Sequence, residues 1–269
     1  MAEILVKDAS FAYSEGRYIW QHVDLHVQEG DCYCILGANG CGKTTLFSCL
    51  NGDNRLKSGQ ILVNGKEIGK YSVTELARTV GIVFQDHTAP FPYTALEVVR
   101  MGRAPYIGLF QSPSKEDTEI AMSMLEELGI AHLAQKKYTQ ISGGERQLVL
   151  IARTLCQQPQ IILFDEPTSH LDFKNSAMVI NTIQRLSEKG MTMVMTSHFP
   201  NHVWKVGNKV ALMGKGGMLA CGPVEEIMTE ENLEATYGVK VNILRSNIRG
   251  KETVFCEADT ELPPAENAE

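Results

Sequence analysis

The chain has 269 residues, 43% hydrophobic and 21% charged, the balance of an ordinary globular protein with room for one large α/β domain or two small ones. Its formal net charge is −7, but residues 251–269 alone hold six acids and one Lys251, which leaves only −2 on residues 1–250. The body therefore lacks the basic footprint of a nucleic-acid binder, and no apolar run approaches the ~18 residues that a membrane span requires.

Met1–Val6 has neither the basic start nor the long apolar stretch of a secretory signal, so a cytoplasmic chain is expected. Val23–Val27 alternates with period two and predicts a half-buried strand. Tyr33–Leu36 is a short apolar run ending at Gly37 and predicts a buried one, with Cys32 and Cys34 on a common face. The seven cysteines show no C-x-x-C and no zinc spacing, which favours reduced thiols.

Gly37-Ala38-Asn39-Gly40-Cys41-Gly42-Lys43-Thr44 follows that strand and leads into a predicted helix, Thr44–Leu50. It matches G-x-x-x-x-G-K-S/T in the strand–turn–helix setting that the pattern needs. Glycines let backbone N–H groups turn inward around phosphate oxygens, and the helix start offers its positive end to the same charge. Lys43 then reaches the β- and γ-phosphates and the Thr44 hydroxyl a Mg²⁺ ion. Cys41 lies inside this loop, either as a thiol activated by the surrounding amides or as an inert small residue.

Gln60–Gly65 predicts a strand and turn. Ala95–Met101 and Glu116–Leu128 carry helical periodicity, with Pro90, Pro92, Pro105 and Pro113 punctuating the loops, so residues 88–155 read as a helical subdomain. Ile161–Phe164 is an apolar strand that ends in Asp165 and Glu166. That places Asp165 at the sheet edge beside the Mg²⁺ loop, and Glu166 where a general base can face the water attacking the γ-phosphate. A helix over Ser176–Lys189 and a strand over Met191–Thr196 follow, and His198 just beyond them is a candidate γ-phosphate contact. Lys209–Met213 and Met218–Ala220 predict a hairpin, Lys240–Leu244 and Thr253–Cys256 two weaker strands, and Leu262–Glu269 a Pro- and Glu-rich disordered end.

Ser142-Gly143-Gly144, ahead of a helical stretch, is a second phosphate-type helix start in a chain that already has one. With all these motifs in order, residues 1–238 resemble the ABC transporter ATPases, with 239–269 as an appendage and acidic tail. The resemblance implies a P-loop NTPase fold of the α/β class, with a mixed sheet core, an antiparallel β subdomain and a helical subdomain. Tyr13 resembles the aromatic that stacks on adenine, its alternative being ordinary strand packing. Asn39, Gly40, Cys41, Gly42, Lys43, Thr44 and Thr45 belong to the matching phosphate loop. Gln85 resembles the glutamine that senses Mg²⁺ and the γ-phosphate, and Asp165 the metal-contacting aspartate. Glu166 and His198 resemble the base and the switch histidine, Ser142-Gly143-Gly144 the signature motif, and Asp172 a member of the loop Ser169–Asp172.

The family implies a head-to-tail homodimer with ATP between the phosphate loop of one chain and Ser142–Gly144 of the other, driving separate permease subunits. The chain departs from the family at Glu145, where glutamine is usual, at Ile141 for leucine and at His170 for alanine. Met101–Phe110, Gly222–Leu233 and the end at Tyr237–Val239 are similar to importers of iron-siderophores, haem and cobalamin, which also use an external binding protein. Molybdate-type oxyanion importers have similar ATPases, and a soluble ABC ATPase such as an iron–sulfur assembly scaffold is the reading of another class.

Overall fold

The computed structural model describes residues 2–14, 16–84, 92–108, 110–248 and 250–259. In chain order the elements are β1 (Ile4–Ser14), β2 (Arg17–Val27), β3 (Cys32–Gly37), α1 (Lys43–Leu50), β4 (Ser58–Val63), β5 (Lys66–Glu67), α2 (Val73–Thr79) and β6 (Val80–Val83). Next come α3 (Ala95–Arg100), α4 (Lys115–Glu127), α5 (Gly143–Cys156), β7 (Ile161–Phe164), α6 (Phe173–Glu188), β8 (Thr192–Ser197) and α7 (Pro200–Val206). The chain closes on β9 (Lys209–Gly214), β10 (Gly217–Pro223), α8 (Val224–Ile227), α9 (Glu230–Tyr237), β11 (Val241–Ile248) and β12 (Lys251–Ala258).

The central sheet runs β10-β9-β3-β8-β7-β6. It is parallel from β9 through β6, while β10 returns antiparallel on β9. It is the expected mixed sheet. A second sheet, β2-β1-β4-β5, is wholly antiparallel. The strand alternation of side chains divides the core into two. Cys32, Cys34, Leu36, Phe164, Met193 and Met195 face one way, toward α3 to α7. Tyr33, Ile35, Leu163 and Val194 face the other, toward α1 and the antiparallel sheet. A sheet covered on both faces needs apolar residues in succession rather than alternation, which is why β7 reads Ile-Ile-Leu-Phe.

β3, β7 and β8 are parallel neighbours that end in near register, Leu36 opposite Ser197 and Phe164 opposite Met195. The residues after each strand are thus delivered to one edge of the sheet, the place where open α/β sheets bind ligands.

Several boundaries differ from the sequence expectation. The helix expected at Ser176 starts at Phe173, because the Asp172 side chain accepts the Asn175 N–H and caps it there. Pro105, expected in a loop, lies inside a 3₁₀ turn over Met101–Tyr106. The turn packs so closely on α5 that a Cβ at Gly102 would come within 2.1 Å of the Arg153 carbonyl oxygen. Buried Arg103 fastens it by donating to the Cys156 carbonyl and to Asp117. The two weak C-terminal strands are longer than expected and form one hairpin, Val241 opposite Ala258 through Ile248 opposite Lys251. Pro90 and the Leu262–Glu269 tail lie outside the described residues.

Candidate active site

The glycine-rich loop joins β3 to α1, and its geometry demands glycine. Gly40 and Gly42 have φ of +80° and +104°. A Cβ on Gly42 would meet Ile19 and Trp20 at 2.9 Å, and one on Gly37 the Met213 carbonyl oxygen at 2.5 Å. The loop wraps the Lys43 ammonium, which is 4% exposed and donates to the carbonyls of Gly37 at 2.8 Å and Ala38 at 3.3 Å. Thr44 and Asn39 are exposed, Thr45 is buried, and Asn39 lines a cleft shared with Glu166 and His198.

Asp165 and Glu166 follow β7. The Thr196 hydroxyl donates to Asp165 Oδ1 at 2.7 Å and accepts the Glu166 N–H at 2.8 Å. Fully buried Thr196 thus fixes both acids, a role that sequence reasoning missed. The signal available was its position on β8 two residues before His198. Glu166 has a positive φ of 41°, a strained conformation for a non-glycine residue. Its carboxylate is 3.3 Å from Lys43 Nζ and 3.2 Å from His198 Nδ1, and accepts the Ser169 hydroxyl at 2.9 Å. Burial alone would raise this carboxyl, but Ser169, Lys43 and His198 outweigh it and hold it below the usual carboxylate range. Asp165 behaves oppositely. Burial raises it, helped by the neighbouring Glu166 charge, and the Thr196 hydroxyl and Lys43 only partly offset the rise.

Tyr13 ends β1 with its ring 68% exposed, edge-on to Phe11 and with its hydroxyl 3.4 Å from Thr45 Oγ1. An exposed ring beside the phosphate loop suits base stacking better than strand packing. The Cys41 thiol is 4% exposed, and burial pushes it up despite the opposing pull of Lys43 and the loop amides, which favours the inert small residue over the activated thiol. Gln85 lies outside the described residues, but β6 delivers Phe84 to the same sheet edge, and the Asp165 N–H donates to the Val83 carbonyl at 2.9 Å.

Ser142-Gly143-Gly144 starts α5. The Ser142 hydroxyl accepts the Glu145 N–H, and the Glu145 carboxylate accepts the Ser142 N–H, forming a capping box. Glutamate and glutamine both serve in that box, so the departure at Glu145 leaves the local structure intact. A Cβ on Gly144 would strike the Asn175 side chain at 2.3 Å, whereas one on Gly143 would find only Leu171 at 3.4 Å. Gly144 is thus required by packing, and Gly143 is left open to the surface.

The parts fit a magnesium nucleotide. A glycine loop with a cationic centre suits phosphates, and the Thr44 hydroxyl with the buried, under-compensated Asp165 carboxylate suits a hard cation that retains other oxygen ligands. This combination on the edge of a mixed sheet defines a P-loop ATPase. The family model described as ABC transporter matches residues 20–169, and the chain belongs to that family; it is an ABC-type ATPase that uses ATP with Mg²⁺. The molybdate import ATP-binding protein MolC of Haemophilus influenzae is 36% identical over 86% of this chain and 87% of its own. The ferric enterobactin transport ATP-binding protein FepC of Escherichia coli is 32% identical over 89% of each. A chain of a proposed metal-chelate type ABC transporter in an inward-facing conformation superposes with a TM-score of 0.87 at 33% identity, covering 97% of this chain and 99% of that one.

Proposed function

We propose that this chain is the motor subunit of an importer that takes up a metal chelate of the iron-siderophore, haem or cobalamin kind through separate permease subunits. The observation that carries this reading is the likeness over nearly the whole chain to a metal-chelate type transporter subunit. The surface beside the Met101–Tyr106 turn supports it. Tyr93, Met101, Ala104, Ile107 and Pro113, with Glu97, Arg100 and Gln111, line a groove of about 380 Å³, and Phe110 nearby in the chain is fully exposed. Such a groove of mixed polarity on the helical subdomain, beside an exposed aromatic, suits a permease segment. No helix among the described residues is long and apolar enough to cross a membrane, in keeping with a motor that sits on the cytoplasmic face and borrows its membrane path.

In this reading residues 1–238 are the cassette and 239–269 an appendage. Two copies pair head to tail, so that Ser142–Gly144 of one chain completes the nucleotide site built on Gly40–Thr45 of the other. Tyr13 stacks on the base, Lys43 and the loop amides hold the phosphates, and Asp172 lies in the loop at the dimer seam. Thr44, Asp165 and Gln85 would hold Mg²⁺, which neutralises phosphate charge as it builds in the transition state. The ionised Glu166 carboxylate accepts the proton of the attacking water, while His198 orients that carboxylate and contacts the γ-phosphate.

The identity to MolC supports a second reading, an oxyanion importer such as one for molybdate or tungstate. A pull-down of the Glu166→Gln chain from native membranes with ATP separates the cases. A polytopic permease and its binding protein are expected, and the binding protein is then screened for iron chelates, haem, cobalamin and oxyanions. Recovery of soluble partners alone would reject transport and leave a cytosolic ABC ATPase such as an iron–sulfur assembly scaffold.

A further inference from the structure

We propose that Tyr237 and the β11–β12 hairpin act as a clamp on the switch segment 198–204, so that Tyr237 is a positioning residue for hydrolysis. The inference rests on the reading of His198 as a contact of the γ-phosphate.

His198 sits between β8 and α7, a stretch with few restraints of its own. Its imidazole reaches Glu166, and the next ring, Phe199, packs 3.9 Å from it. Two separate parts of the C-terminal region hold this segment, one at its backbone and one through side chains of α7. The Tyr237 hydroxyl, at the end of α9, donates to the His198 carbonyl oxygen at 3.1 Å. Three residues beyond His198, Asn201 brackets the middle of β12: its Oδ1 accepts the Cys256 N–H at 2.7 Å, and its Nδ2 donates to the Cys256 carbonyl at 3.3 Å. The Trp204 indole, one turn further along α7, donates to the Cys256 sulfur at 3.3 Å.

These contacts join the hairpin to the catalytic edge by a short path. Asn201 and Trp204 lie on one face of α7 at i and i+3, and both meet the same residue of β12. The hairpin is itself anchored to the preceding helices, since the Ile243 N–H donates to Glu230 at the start of α9 and Arg245 pairs with Glu225 of α8. Tyr237 ends that same α9, so α9 and the hairpin joined to it hold both ends of the switch segment. The phenol is largely buried and pushed well above its ordinary range by that burial, with the Cys41 and Cys256 thiols adding to the rise. A hydroxyl donated to the His198 carbonyl tethers the backbone that carries the imidazole.

The test is a double-mutant cycle on the full chain, following Mg-ATP hydrolysis at saturation and KM. The variants are Tyr237→Phe, His198→Ala and the pair, with Asn201→Ala as an independent break in the other grip. Tyr237→Phe removes one hydroxyl and keeps the ring, so a thermal melt close to the parent's is expected. kcat should fall roughly fivefold, the equivalent of one ordinary hydrogen bond, with KM for ATP unchanged. Asn201→Ala should act in the same direction. In the His198→Ala background Tyr237→Phe should have no further effect, because the residue it positions is gone. An equal fall in that background would overturn the clamp, as would an unchanged kcat in Tyr237→Phe while His198→Ala is slow. An unaffected His198→Ala would instead reject the role given to His198 itself.

Discussion

Lys43 Nζ and Glu166 Oε1 stand 3.3 Å apart, an ion pair that links the phosphate loop to the proposed base across the sheet edge. The lysine is buried and holds three oxygens: Glu166 and the carbonyls of Gly37 and Ala38. Phosphate oxygens entering the loop would compete for the same ammonium. Lys43→Ala should therefore abolish nucleotide binding or turnover, and it should also leave the Glu166 carboxylate without its cation. Glu166→Gln keeps the shape and hydrogen-bonding capacity but not the base. It should bind ATP and slow hydrolysis by ~10²–10⁴-fold in single-turnover assays. Normal turnover in either variant would remove that residue from the chemistry.

The signature glycines make separable predictions. Gly144→Ala drives a methyl into the Asn175 side chain, which is itself held by Asp172. It should destabilise the fold by about 1–3 kcal/mol, the usual cost of overpacking. Gly143→Ala meets only an ordinary contact with Leu171 and replaces a helical glycine. It should melt at or above the parent temperature. If ATPase activity nevertheless falls in Gly143→Ala, the loss points to the proposed contact with a partner chain's nucleotide and not to folding; unchanged activity would take Gly143 out of the proposed dimer site.

How much of this was legible in the sequence follows from the range of the signals. The phosphate loop, the strand ending in Asp165-Glu166 and the helix start at Ser142 are local patterns whose chemistry is fixed by neighbours in the chain. The phosphate loop, Asp165-Glu166 and His198 meet at one edge because β3, β7 and β8 are parallel. What the sequence hid is long-range. Thr196 bonds Asp165 and Glu166 from another strand, and its place two residues before His198 was the one local sign of it. Trp20 packs beneath Gly42 from the other sheet. The N-terminal strand β1 was only partly visible, since residues 4–14 carry register shifts that break simple alternation. The short helices α7 to α9 have too few turns for periodicity to show.

In its proposed role as a metal ligand, Asp165 would link stability to metal binding. Its carboxyl is raised, so the sign is opposite to that of most native carboxylates. The favourable contribution belongs to the protonated form; it is complete below the ordinary carboxylate range and is lost as pH rises through the raised value. At neutral pH the ionised group is therefore a cost that a divalent cation relieves. Asp165→Asn should stabilise the nucleotide-free chain and raise its melting temperature, while removing the Mg²⁺ dependence of nucleotide affinity. A melt that falls, or an affinity still sensitive to Mg²⁺, would count against the assignment.

His202 sets the acid limit of the switch segment. It lies four residues after His198, half-buried, with its Nδ1 3.3 Å from the Ser197 hydroxyl. Burial pushes it down to about 4, with repulsion from His198 and Lys205 adding to the fall. The folded protein thus holds His202 neutral where the unfolded chain, with an ordinary value of about 6.5, takes up a proton. Its contribution to stability is complete above about 6.5 and is lost as pH falls toward about 4, at a cost on the order of 3 kcal/mol over the window. Urea denaturation at pH 7.5 and pH 5 should show this loss in the parent chain and a much smaller one in His202→Gln, which can still bond Ser197 but cannot charge. Because α7 carries both His202 and the contacts to β12, acid should loosen the hairpin together with the switch. Proteolysis within β11–β12 should therefore accelerate between pH 7 and pH 5 in the parent, and the acceleration should be lost in His202→Gln. Equal acid sensitivity in the two chains would place the limiting group elsewhere.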